Sequence, residues 1–251
     1  MPPRGEISCT ATLGNARRGS ETQCADLARM RRMTDLSSTA DAAILDAYRA
    51  HYVRTFSAHG PTSRGVDWGA PGDVDMRYGK MLEVLEPDAG VRPSLLDVGC
   101  GYGGLLDYAD ARGIALDYSG VDIVPKMIAH ARAKHPSARF EVADALALPD
   151  APVADYVVCN GILTLKLEAS ILDMDRFARR LIRKMFTLAR RGIAFNMMTS
   201  HVNFMAPTLY YKNPLEIAAF VSGELSNRFR LDHSYPAYEF TVYVFPARSQ
   251  P

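Results

Sequence analysis

A ten-residue stretch, LLDVGCGYGG from Leu95 to Gly104, constrains the fold of this chain more than any other. Its apolar start has the length of a buried strand, and the glycines that follow break the strand off in a tight turn. A helix is predicted next over Gly104–Arg112, ended by Gly113. A strand that turns directly into a helix is half of a parallel crossover, because parallel neighbours need a connection long enough to return along the sheet. The alternation then continues. Strands are predicted at Asp117–Asp122, Ala138–Val142, Tyr156–Asn160 and Ile193–Met197. Helices are predicted at Pro125–Lys134 and Ser170–Arg190, the second stopped by Arg191-Gly192. Two β-rich runs, Phe229–Ser234 and Tyr238–Phe245, flank Tyr235-Pro236-Ala237 and read as an antiparallel hairpin. The expected fold is α/β: a doubly wound, mostly parallel seven-stranded sheet with helices on both faces and a C-terminal antiparallel hairpin.

Upstream, residues 1–36 show little apolar periodicity and read as a flexible tail. Glu6, Glu21 and Asp26 argue against a transit peptide, and Met33 is an alternative start. Ile44, Leu45, Tyr48, Tyr52, Val53 and Phe56 recur at helical spacing, with N-caps available in Ser37–Asp41. A Gly/Pro-rich loop with the single tryptophan, Trp68, separates this helix from another near Val74–Leu85, which Pro87 closes. Residues 37–90 are therefore expected to form a helical lid. The core is expected at 91–248, with a substrate-cap insert at about 198–216.

With 251 residues the chain suffices for one large domain. A formal net charge of +1 gives no field that recruits nucleic acid or an anionic membrane. Runs of eighteen or more apolar residues are missing, and the N-terminal residues, without an apolar stretch between a basic start and a small-residue cleavage site, argue against a secretory signal. Cys9, Cys24, Cys100 and Cys159 form no C-x-x-C pair. The expectation is a reduced, cytoplasmic protein acting on a small molecule, with no nucleic-acid or membrane partner. Its oligomeric state stays open.

The glycine turn fits two cofactor fingerprints. Gly99, Gly101 and Gly104 match the G-x-G-x-x-G of dinucleotide sites, whereas Gly99, Gly101 and Gly103, preceded by Asp97, match a turn that holds S-adenosylmethionine (SAM). Asp97 discriminates: a carboxylate repels a pyrophosphate but attracts an ammonium and a sulfonium. Asp122, at the end of the next strand, suits the ribose of either ligand, and Asp144 follows the third strand where it can accept from an adenine amino group. The segments LLDVGCGYGG, YSGVDI, RFEVADALAL and ADYVVCNGIL, in this order and at these spacings, resemble the four sequence motifs of class I SAM-dependent methyltransferases over roughly residues 75–245. HGPTSRGVDWG followed by MRYGKML is also similar to the leader of a group of bacterial small methyltransferases.

The resemblance implies residue roles. Gly99, Cys100, Gly101 and Gly103 would form the loop beneath the methionine part of SAM, and Asp97 would accept from its ammonium. Asp122 would hold the ribose, with Ile123 against the adenine. Asp144 and the backbone of Ala145 would read the adenine edge. Asn160 and Gly161 would meet the ammonium, and Arg77 would reach the SAM carboxylate. The product would be S-adenosylhomocysteine, and no metal is expected.

Methyl transfer to an activated sulfonium carbon draws much of its acceleration from alignment, so a general base is needed only where the acceptor must lose a proton. His201, His233 and His59 are the candidates for such a base. Trp68, Tyr210 and Tyr211 are the candidates for contact with the acceptor; packing is the alternative reading for each. The position after the fourth strand reads CNGILT and lacks the N/D-P-P-Y/F turn of the family's base-amino methylators. Asp173 and Asp175 are expected to face solvent. The expected function is methyl transfer to an oxygen or nitrogen of a small or medium-sized acceptor, a specialised metabolite or glycan precursor. A non-catalytic SAM-binding protein and an NAD(P)-dependent oxidoreductase are the alternatives, the latter without a Tyr-x-x-x-Lys pair.

Overall fold

The structure is a computed structural model that describes residues 39–69, 71–86 and 92–247. The expected tail at 1–36, Ser37, Cys9, Cys24, Met33 and Pro87 lie outside the described residues. The chain divides into Met1–Ala42 and Ala43–Pro251. Of the first unit residues 39–42 are described and are helical, and all that follows concerns the second.

Helix α1 covers 43–59 of this unit. Ile44, Tyr48, Tyr52 and Phe56 fall four apart and make its inward stripe. A 3-10 turn, Ser63–Val66, is capped by the Thr62 side chain, and α2 follows at Pro71–Leu82. The sheet then begins, with β1 (Ser94–Val98), α3 (Gly104–Ala111), β2 (Asp117–Asp122), α4 (Pro125–Lys134), β3 (Arg139–Val142), β4 (Ala154–Cys159) and α5 (Ile171–Leu188) in succession. It is completed by β5 (Ala189–Thr199), β6 (Tyr211–Lys212), α6 (Pro214–Glu224), β7 (Arg228–Asp232) and β8 (Glu239–Phe245).

The strand path is β3-β2-β1-β4-β5-β8-β7, parallel from β3 to β5 and antiparallel through β8 and β7. These are the seven strands expected from the sequence. An eighth, β6, pairs in parallel with the end of β5 at Met198 and Thr199. Side chains alternate across the central strands: Leu96, Val98, Val157 and Cys159 enter one core layer with α5, while Leu95, Tyr156 and Val158 enter the other with α2 and α3. Burial on both faces explains why these strands read as continuous apolar runs.

The structure departs from the sequence reading in two places. Arg191-Gly192 does not stop α5, because the helix ends at Leu188 and β5 starts at Ala189 without a turn. Ala189 and Gly192 both find partners on β4, across a register shift between Ala154 and Tyr156. Gly192 serves packing instead, since a Cβ there would stand 2.9 Å from a Phe245 ring carbon. Helix α6 is the other addition. Its sequence, PLEIAAFVSGE, is too uniformly apolar to show an amphipathic period, but Asn213 caps Leu215 N–H and Pro214 opens the first turn.

Candidate functional site

The winding of the sheet reverses between β1 and β4, the position where open α/β sheets bind ligands. Val98 pairs with Cys159 on one side and with Val121 on the other. Gly99, Asn160 and Asp122 therefore leave the sheet at one level. A cavity opens above them, beyond the carboxyl ends of these strands.

Its floor is the glycine turn, in which Gly99, Gly101 and Gly103 take φ of 76°, 55° and 88°. Gly99 is doubly required: its backbone is left-handed, and a Cβ would stand 2.5 Å from Ile162 Cδ1. Asp122 holds the turn. Its Oδ2 accepts from Gly101 N–H at 2.9 Å and its Oδ1 from Val124 N–H at 2.8 Å. Burial raises the Asp122 pKa, and these backbone donors oppose the rise. Asp144 caps the 3-10 turn Ala145–Ala147 by accepting from Leu146 N–H at 2.9 Å. Cys100, Ile123 and Ala145 also line the cavity.

Two polar side chains stand out. Asp97 is 4% exposed, and its Oδ2 accepts from the Tyr118 hydroxyl at 2.6 Å. Burial pushes it up to about 7; the Tyr118 hydroxyl works against this and the Asp122 charge works with it. At neutral pH the group is poised between acid and carboxylate, and a cation placed against it would favour the carboxylate. Asn160 lines the cavity with both Oδ1 and Nδ2 buried and without a partner. An unmet buried amide costs about 1–3 kcal/mol, so such a side chain suits a ligand that can bond both atoms. Among the described residues the lining contains Asp97, Asp122 and Asp144 and no Lys, Arg or His.

The outer wall is aromatic and aliphatic: Leu45, Tyr48 and Tyr52 of α1, Trp68 of the loop, and Phe177 of α5. The Tyr48 hydroxyl bonds Leu165 O at 2.6 Å and reaches Ile162 O at 3.1 Å, which ties α1 to the segment after β4. Trp68 lies against Gly161, where a Cβ would stand 3.1 Å from Trp68 Cζ2 and φ is 92°.

Residues 95–185 match a family model described as a methyltransferase domain. "Putative methyltransferase Rv1506c" of Mycobacterium tuberculosis is 36% identical over 157 residues, 60% of this chain and 92% of that protein. The chain belongs to the class I SAM-dependent methyltransferases. Two solved structures share its fold. Phosphoethanolamine N-methyltransferase 1 of Haemonchus contortus, in complex with phosphoethanolamine and S-adenosylhomocysteine, has a TM-score of 0.55 at 15% identity, over 82% of this chain and 50% of that one. DesVI of Streptomyces venezuelae has a TM-score of 0.55 at 13% identity, over 70% and 93%.

In this methyltransferase the expected donor-side residues converge, apart from Arg77, Gly103 and Gly161, which are not among the lining residues. The Arg77 guanidinium is taken up by Glu239, with Nη2 at 2.6 Å from Oε1 and Nε at 3.0 and 3.1 Å from the two oxygens; Nη1 is buried without a partner. The expected substrate side is redistributed. Trp68 lines the cavity, but no residue of the insert at 198–216 does. Tyr210 is 2% exposed, its hydroxyl donating to Asp175, which also pairs with Lys212 at 3.1 Å. Tyr210 is thus a packing residue, and half-buried Asp175 does not face open solvent. The Tyr211 hydroxyl accepts from Ala206 N–H at 3.1 Å. The reason is β6: by pairing with β5, the insert becomes part of the sheet instead of a cap over it. His201 and His233 come together, ring centroids 5.9 Å apart, but both are exposed and outside the cavity wall. His59, at the end of α1, is exposed and outside it too.

Sequence reasoning missed Tyr118, Asn196 and Glu239. Asn196 interrupts the apolar run IAFNMM and Glu239 opens the apolar strand EFTVYVF. A polar residue inside a core strand is the signal that marks both.

Proposed function

We propose that the cavity binds SAM with its methionine end toward Asp97 and Asn160 and its adenosine toward Asp122, Ile123, Asp144 and Ala145. The methyl group then passes to an oxygen or nitrogen of a small or medium-sized acceptor, a specialised metabolite or glycan precursor. Asn160 carries the reading. Its unpartnered amide, beside a carboxylate poised near neutrality, offers acceptors to an ammonium and a donor to a carboxylate. Charge supports the same ligand: a wall with three carboxylates and no basic residue favours a cationic end over a pyrophosphate.

When bound, SAM supplies a methyl carbon already activated by its sulfonium. The chain's own part is positioning: Gly99 lets the backbone approach, Asp122 fixes the turn, and the Trp68 and α1 wall excludes water and aligns the acceptor. None of the three histidines expected as candidate bases, His59, His201 and His233, lines this wall.

A thermal-shift panel tests the donor. SAM and S-adenosylhomocysteine are expected to raise the midpoint, and NADH and NADPH to leave it unchanged. A shift with the nicotinamides alone overturns the reading. S-Adenosylhomocysteine release across a panel of amines, hydroxylated aromatics and sugars then tests the acceptor. Donor binding without turnover on any of them favours the non-catalytic alternative.

A further inference from the structure

The side chains around Trp68 close on themselves. Trp68 lies against Gly161, the first residue beyond Asn160. Gly161 N–H donates to Asn196 Oδ1 at 2.8 Å. Asn196 Nδ2 donates to Glu239 Oε2 at 2.7 Å, in a buried bond. Glu239, 3% exposed, accepts the double bond from Arg77 described above. The Arg77 guanidinium then lies over the Trp68 ring, 5.4 Å from its centroid. The circuit joins the lid loop, α2, the turn after β4, β5 and β8.

It also has a direction. Every partner of Glu239 is a donor, so both of its oxygens must accept. Asn196 can face it only with Nδ2, because its Oδ1 is held by Gly161 N–H. The Asn196 amide cannot turn over without breaking both of its bonds, which gives this buried network a single arrangement. We infer that Glu239 is a positioning residue: through Arg77 and Asn196 it seats Trp68 on Gly161 and so shapes the wall of the donor cavity. The inference rests on the donor reading above, and it gives Arg77 a role that does not require contact with the SAM carboxylate.

Trp68 is the single tryptophan of the chain, so its fluorescence reports the surroundings of this one ring. Glu239→Gln puts an amide donor against a donor, and Arg77→Lys removes the forked bond and the flat cation over the ring. Both variants of the full chain, checked for folding by circular dichroism, are expected to shift emission to the red and to increase acrylamide quenching. They are expected to weaken S-adenosylhomocysteine binding by about 2- to 10-fold, the effect of one lost ring contact. The double variant is expected to be no worse than either single one, since both break one circuit. Unchanged quenching in the folded variants overturns the inference. So does increased quenching with unchanged affinity, because Trp68 would then not serve the donor site. Should Glu239→Gln fail to fold, Arg77→Lys decides alone. If the unaltered protein binds no S-adenosylhomocysteine, the donor reading has failed, while quenching still judges the circuit.

Discussion

The two walls of the cavity are built differently. The donor wall is made of residues at strand ends in register: Gly99–Gly101 after β1, Asp122 as the last residue of β2 and Asn160 after β4. Its bonds span short stretches of chain: Asp122 caps Val124 and Asp144 caps Leu146 two residues on, while Gly101 meets Asp122 and Tyr118 meets Asp97 across 21 positions. The other wall is assembled from parts far apart in the chain. Tyr48 bonds carbonyls more than a hundred residues away, and Arg77 meets Glu239 across 162 positions. A ligand shared by a whole family can be held by local turns at fixed strand ends. A wall assembled from residues so far apart in the chain depends on the whole tertiary fold for its shape.

The largest expected effect tests the donor wall. Asp122→Ala removes a charged acceptor and leaves Gly101 and Val124 N–H unmet, so S-adenosylhomocysteine affinity should fall on the order of 10²-fold. Calorimetry that finds the affinity intact would remove Asp122 from the site.

The next effect depends on pH. Asp97 is held up to about 7 by burial, so in the empty protein it is largely protonated below that value. Binding an ammonium requires the carboxylate. Affinity should therefore rise by about tenfold for each pH unit on approaching 7 from below and level off above it. Stability of the empty protein runs the other way. The folded state holds the extra proton between the ordinary Asp range and 7, so this group's contribution falls as pH rises across that window. In Asp97→Asn the donor should bind more weakly and with no slope from pH 6 to 8. A slope that persists would assign the titration to another group.

Smaller effects are expected on the second wall. Tyr48→Phe loses the anchor of α1 and should cost about 1 kcal/mol, read as a midpoint lowered by roughly 2–4 °C. A larger drop in donor affinity than in stability would show that the two walls are coupled through α1. His201→Ala, at an exposed position outside the cavity, should change donor affinity less than about twofold and stability by less than about 0.5 kcal/mol. Slowed turnover in that variant would bring the insert back to the acceptor.

The same contrast explains what the sequence made legible. The sheet and the residues at the cavity could be read because the apolar runs of β1, β2 and β4 end at Gly99, Asp122 and Asn160, which line it. Boundaries were lost where a neighbour overrode a local signal, as at Gly192, whose missing side chain makes room for Phe245 in mid-strand. The packing of 198–216 was hidden in the sequence for a similar reason. Its aromatic residues look like a binding surface in sequence, and only pairing of Tyr211–Lys212 with β5 turns Tyr210 inward to Asp175. Glu239 and Asn196 are visible as polar residues in apolar strands, but nothing in their spacing says that they meet.

Cys100 lines the cavity, yet it stands in for a neighbour's absent side chain. A Cβ on Gly120 would stand 2.7 Å from both the Cβ and the Sγ of Cys100. The thiol is thus a filler whose volume is set by the strand beside it, and burial, with the charges of Asp122 and Asp97, keeps it protonated. Alkylating reagents should pass it by in the native protein. Sequence drift at one of these two positions should be tolerated only alongside a compensating change at the other, a larger residue at 120 being admitted when 100 shrinks to glycine.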